Sequence, residues 1–169
     1  SPFYDPTKTY CDNYDEGPFG AFADYEVVVS ASEPMVDFHG QKVYLPCGIP
    51  AGPLLNSKFC EAAFKKGFDI AVYKTVRSAT YPCHPFPNVL AIHPDGDLDT
   101  AALAKPVIAD ADYSEPLSIT NSFGVPSKDA SIWQEDAKKA IATAGKGQVL
   151  VLSFMGTVRE NQTAEEFVE

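Results

Sequence analysis

The sequence predicts a parallel α/β domain, and three observations carry that prediction. An apolar run of strand-forming residues, Ile70-Ala71-Val72-Tyr73, ends abruptly in Lys74-Thr75-Val76-Arg77-Ser78. A helix-like segment stopped by Gly67 comes directly before it, and a second helix-then-strand unit, divided by Gly145, follows later. The order strand, helix, strand, long excursion, helix, strand, helix is that of parallel strands joined by right-handed crossovers.

Taken in order, residues 1–34 read as an irregular arm with one short strand. Its aromatics and acids (Phe3, Tyr4, Tyr10, Tyr14, Phe19, Phe22, Tyr25) show neither helical nor alternating period, and Glu26-Val27-Val28-Val29-Ser30 is the strand. Met35–Phe38 and Lys42–Leu45 form a short hairpin about a turn containing Gly40. Pro46 and Pro50-Ala51-Gly52-Pro53 end that region as a loop. Asn56 or Ser57 caps a helix through Phe59, Ala62, Ala63 and Phe64, with Gly67 placed where left-handed backbone follows the last turn. Between Thr80 and Glu115 lies an excursion rich in proline and longer than ordinary connections, which reads as a lid-like loop. Ile132, Trp133, Ala137, Ala140, Ile141 and Ala144 make a helical stripe, Gln148–Phe154 a buried strand, and Thr163 with Glu166 a capping-box start for one more helix. An apolar-faced helix ending at Phe167-Val168-Glu169 suggests the front part of a longer protein.

Composition narrows the function classes. The chain of 169 residues is 45% hydrophobic and 21% charged, an ordinary globular balance. A net charge of −10 argues against non-specific binding to nucleic acid or an anionic membrane, which needs clustered Lys and Arg. No stretch has the length or apolarity of a bilayer span or a secretory signal, so a cytoplasmic protein is expected. Cys11, Cys47, Cys60 and Cys83 are too scattered for a metal knuckle and too few for a disulfide scaffold, so reduced thiols are expected. His39, His84 and His93 lack metal-ligand spacing, and no metal site is expected. Asp95, Asp97 and Asp99 resemble the start of a calcium loop, but Thr100 and Pro106 stand where its glycine and glutamate belong; a solvated acidic turn accounts for them.

Chemistry concentrates in three loops. In a parallel α/β domain ligands gather outside the strands' carboxyl ends. Gly48–Gly52, Lys74-Thr75 and Asn121–Pro126 would then meet there, bringing small residues, one cation and an amide that both donates and accepts. That mixture suits a planar heteroaromatic cofactor with a carboxylate or imide partner. Singly, each loop is more readily read as turn chemistry, and a lysine closing a strand as a solvated end; only their conjunction puts the ligand reading level with these.

Pro50-Ala51-Gly52, Tyr73-Lys74-Thr75, His84-Pro85-Phe86-Pro87-Asn88 and Asn121-Ser122-Phe123-Gly124-Val125-Pro126, in that order, resemble the flavin-dependent dihydroorotate dehydrogenases, in particular their soluble class 1 branch. The resemblance covers roughly residues 35–169. It implies the first few units of a TIM (β/α)8 barrel, FMN at the carboxyl-terminal face, and oxidation of dihydroorotate to orotate in pyrimidine biosynthesis by hydride transfer to flavin N5. By the same resemblance Ala51, Gly52, Lys74 and Thr75 would line FMN. Lys74, as the catalytic-site cation, would also face the substrate carboxylate, Asn121 would bond the pyrimidine amide, and Phe123, Gly124 and Val125 would supply backbone contacts. Soluble relatives imply a homodimer, and the family's catalytic Cys or Ser falls beyond Glu169, so the chain by itself is expected to be inactive.

Three positions depart from the family pattern: Tyr81 and His84 stand where Arg and Asn are usual, and Asn88 replaces the next Arg. They keep open a related flavin barrel acting on another dihydropyrimidine. A non-catalytic α/β interaction module, holding a partner through its acidic aromatic arm, is the reading from a different class.

Overall fold

Short polar side chains set where the two main helices begin. Asn56 Oδ1 accepts from Lys58 N at 3.1 Å to open α2 (Ser57–Lys65), which ends before Gly67 at φ +84°; Asp129 Oδ1 accepts from Ser131 N at 3.0 Å to open α3 (Ala130–Thr143). The remaining elements are α1 (Tyr10–Glu16), a 3-10 turn (Gly20–Ala23), and strands β1 (Val36–Phe38), β2 (Gln41–Val43), β3 (Gly48–Ile49), β4 (Ile70–Val76), β5 (Val89–Ile92), β6 (Ala109–Asp110), β7 (Ser118–Asn121) and β8 (Val149–Phe154). The computed structural model describes residues 3–157 apart from 31, 95, 97–99, 101–105, 115 and 116. The helix expected from Thr163 and the acidic turn at Asp95, Asp97 and Asp99 lie outside the described residues.

The central sheet has the order β3-β4-β8 and is parallel throughout, with α2 leading into β4 and α3 into β8. Its helix-covered side holds the core: Leu54, Leu55, Phe59, Cys60, Ala63, Tyr73 and Ala140 are all almost fully buried. Burial of each large apolar side chain contributes about 1.5–3 kcal/mol. One carboxylate ties three elements together. Asp136 of α3 accepts from Ser57 N at 2.7 Å and Ser57 Oγ at 2.6 Å, at the start of α2, and from Tyr73 OH of β4 at 2.7 Å. An anion at a helix N-terminus is favoured by the orphan N–H groups there.

Several expectations change. The Val27–Val29 segment is not a strand: Val28 N donates to Lys65 O at 2.7 Å, and Val27, Val28 and Val29 are exposed. The arm is also not irregular. Thr9 and Asp12 form a reciprocal capping box that starts α1. Asn13, 2% exposed, bonds Asp5 N and O and Thr9 O at 2.7–3.0 Å, fastening the arm to itself. Tyr4 and Tyr10 then enter the core. The first parallel strand is Gly48–Ile49, within what reads from the sequence as a loop, whereas the antiparallel β1-β2 hairpin forms where it was expected. Two residues are too few to show a period. The 80–115 excursion is not a bare loop, because β5 pairs antiparallel with both β6 and β7 to make a second sheet. The described residues form mixed α/β structure with small sheets and no closed barrel.

Candidate functional site

Lys74 is positioned by an irregularity in β4. Tyr73 is in register with Leu152 and Val76 with Phe154, so Lys74 and Thr75 together oppose a single residue, Ser153. Thr75 Oγ1 lies 2.9 Å from Ser153 Oγ, and Lys74 N donates to Leu54 O at 3.0 Å, which fixes the backbone at this point. Both faces of β4 are buried here. Tyr73 points to the helices, where it meets Asp136, and Lys74 is 5% exposed on a cleft.

The cleft has a volume of about 570 Å³, within the range usual for small-molecule sites, and is lined mainly by apolar groups. Ala51, Gly52, Lys74, Thr75, Asn121, Phe123, Gly124 and Val125 all line it. The eight residues singled out from the sequence are therefore brought together. One premise of that reading is corrected: Asn121 ends β7, which belongs to the antiparallel sheet, so its loop does not follow a parallel strand. The excursion folds back and delivers it.

Each wall has its own local cause. Gly52 takes φ +136°, and the position a Cβ would occupy there has nothing within 4 Å, leaving open space beside the backbone. Val89 of β5 and Ile119 of β7 add apolar surface from the second sheet. Phe3 and Tyr4 close the cleft from the arm, Tyr4 and Tyr10 packing edge-on against the Phe123 ring at 5.2 and 5.9 Å. None of these four lining residues was anticipated. The short apolar run Val89–Ile92 was the one signal that could have marked β5; nothing in the aperiodic arm marks Phe3 or Tyr4.

The electrostatics centre on Lys74. Its ammonium makes no hydrogen bond or ion pair among the described residues. Burial, with the Arg77 guanidinium adding, lowers its pKa from 10.5 to about 8, while Cys83 acts weakly the other way. The Cys83 thiol is itself pushed up, by burial first and then by Cys11, with Lys74 opposing. A buried amine without a partner is costly unless a ligand supplies an acceptor. Asn121 is exposed, with its amide unengaged among the described residues. All four cysteines are free, and no cluster of three or more His, Cys, Asp or Glu able to hold a metal occurs among the described residues. Among those residues no helix is long and apolar enough to cross a membrane.

Fold and site together define a mixed α/β domain whose cleft offers one buried cation beside apolar walls. No family model matches the chain. It is, however, 34% identical over 178 residues to dihydroorotate dehydrogenase of Dictyostelium discoideum, an alignment that takes in 99% of this chain and 47% of that protein. The chain is thus similar in sequence, along its length, to a dihydroorotate dehydrogenase, and it spans about half the length of the curated relative it matches.

Proposed function

We propose that the protein to which this chain belongs oxidises dihydroorotate to orotate with FMN, as a pyrimidine-biosynthetic oxidoreductase built on a (β/α)8 barrel. The observation that carries this reading is the buried Lys74, without a partner among the described residues, at the carboxyl end of a parallel strand in a cleft shared with Asn121. Sequence relatedness to a dihydroorotate dehydrogenase supports it.

The residues present fit a flavin. Ala51 and Gly52 leave open space for a flat ring against backbone, and Lys74 and Thr75 offer an ammonium and a hydroxyl at its edge. Bound there, FMN supplies the acceptor for the hydride that leaves the dihydropyrimidine ring. The chain's own residues bind and orient. Lys74 holds positive charge, fixed by the fold before any ligand arrives, where an anionic substrate group and the developing charge of the reduced cofactor gather. Asn121 pairs with an amide of the substrate ring, donating and accepting at once. Phe123, Gly124 and Val125 wall off water from the reacting face.

The test is spectroscopic. The complete protein should purify yellow, and dihydroorotate should bleach its flavin absorbance. A colourless, folded, complete protein defeats the proposal, and bleaching by dihydrouracil instead of dihydroorotate transfers it to another dihydropyrimidine.

A further inference from the structure

The Asn121–Val125 wall contains a conformation that its own residues disfavour. Gly124 has φ +73° and Val125 φ +53°. A β-branched residue is disfavoured in left-handed backbone and persists there only where the surroundings hold it.

Most of the loop is braced by the base of the excursion. Tyr81 and Ser127 exchange two backbone bonds of 2.9 and 3.0 Å, His84 N donates to Phe123 O at 3.1 Å, and Asn88 Nδ2 donates to Ser122 O at 3.2 Å. Tyr81, His84 and Asn88, the departures from the family pattern, therefore all grip this loop. None of them hydrogen-bonds residues 124 or 125, the left-handed pair. Arg77 does: Nε donates to Val125 O at 3.0 Å, and Nη2 reaches Gly124 O at 3.5 Å.

Arg77 is built to hold that position. It is 8% exposed, its backbone N donates to Ser127 Oγ at 3.0 Å, and its carbonyl accepts from Trp133 Nε1 at 3.0 Å. Nη1 donates to Thr157 Oγ1 at 2.8 Å, and the guanidinium lies 3.9 Å over the Tyr81 ring. Among the described residues every hydrogen-bond acceptor it uses is neutral and it makes no ion pair; the planar fork is used for its geometry.

We infer that Arg77 is a positioning residue. From the carboxyl end of β4 it clasps the Gly124 and Val125 carbonyls and holds the Asn121–Val125 wall at its working distance from Lys74. The inference rests on the dihydroorotate reading of the cleft.

The experiment uses the complete, FMN-loaded protein, with orotate affinity read from the flavin spectrum. Arg77→Met should retain FMN yet bind orotate about tenfold or more weakly. Adding Val125→Gly should recover most of that loss, because glycine adopts φ +53° without strain. A purely structural role would lower the melting temperature and leave the affinity of the folded protein unchanged. There is a second readout: orotate binding should weaken at a higher pH in Arg77→Met than in the parent, because Lys74 loses its cationic neighbour. If Arg77→Met does not fold, Arg77→Lys should weaken orotate binding in the same way, since it keeps the charge and loses the fork. Affinity within about twofold of the parent in whichever variant folds, or a loss that Val125→Gly leaves unrepaired, overturns the inference. A parent protein that carries no flavin, or is not bleached by dihydroorotate, defeats the functional reading itself.

Discussion

Titration of Lys74 by its chemical reactivity probes the cleft directly. Burial first and Arg77 second place its pKa at about 8 instead of 10.5. At pH 7 roughly one Lys74 in ten then carries a free amine, against roughly one in three thousand for an exposed lysine, about a 300-fold difference. The assay is competitive trace labelling of the cofactor-free protein with an amine-selective anhydride across pH 6–11, read peptide by peptide by mass spectrometry. Using the pH dependence, instead of the absolute rate, removes the effect of restricted access. The Lys74 peptide should reach half its limiting reactivity near pH 8, with a free model lysine peptide in the same mixture following more than a unit higher. An anionic ligand bound at Lys74 favours its charged form, so saturating orotate should push that midpoint upward. A Lys74 midpoint indistinguishable from that of the model lysine peptide would refute the argument that this amine is desolvated and without a counter-ion.

Two stability predictions follow from the scaffold. Asp136→Ala removes the acceptor shared by Ser57 N, Ser57 Oγ and Tyr73 OH, and should cost about 3–5 kcal/mol in urea unfolding, with Asp136→Asn recovering part of it. Gly48→Ala drives a methyl into the Ile70 carbonyl, a backbone group that cannot turn aside, and should cost at least about 3 kcal/mol or prevent folding; a folded variant of parental melting temperature would contradict the close approach of β3 to β4.

The parts of the fold legible in the sequence are those with a local signal. Asn56 and Gly67 bracket α2, Gly145 follows α3, and the apolar runs at 70–76 and 149–154 are β4 and β8. β3 escaped notice because two residues between prolines carry no period, and the second sheet because its longest strands are four residues each, embedded in a proline-rich stretch. The site was legible as residue types: an amide, a cation and small residues needed by one ligand do converge. How they converge was not, since Asn121 arrives from an antiparallel strand. Phe3, Tyr4 and Arg77 were invisible as site residues, because aromatic packing and a guanidinium on carbonyl oxygens depend on the tertiary fold alone.

The meeting of the arm with Phe123 has a consequence for how the protein is made. Tyr4 and Tyr10 leave the ribosome before the ring they pack against, which is synthesised roughly 110–120 positions later. Closing so long a loop is entropically slow, so this wall of the cleft assembles after the local β/α units have formed. Until then two large aromatic side chains lack their native partner, and that stretch of the nascent chain is sticky. The surface that completes the cleft in the native protein is, during synthesis, the surface a holding chaperone would grasp.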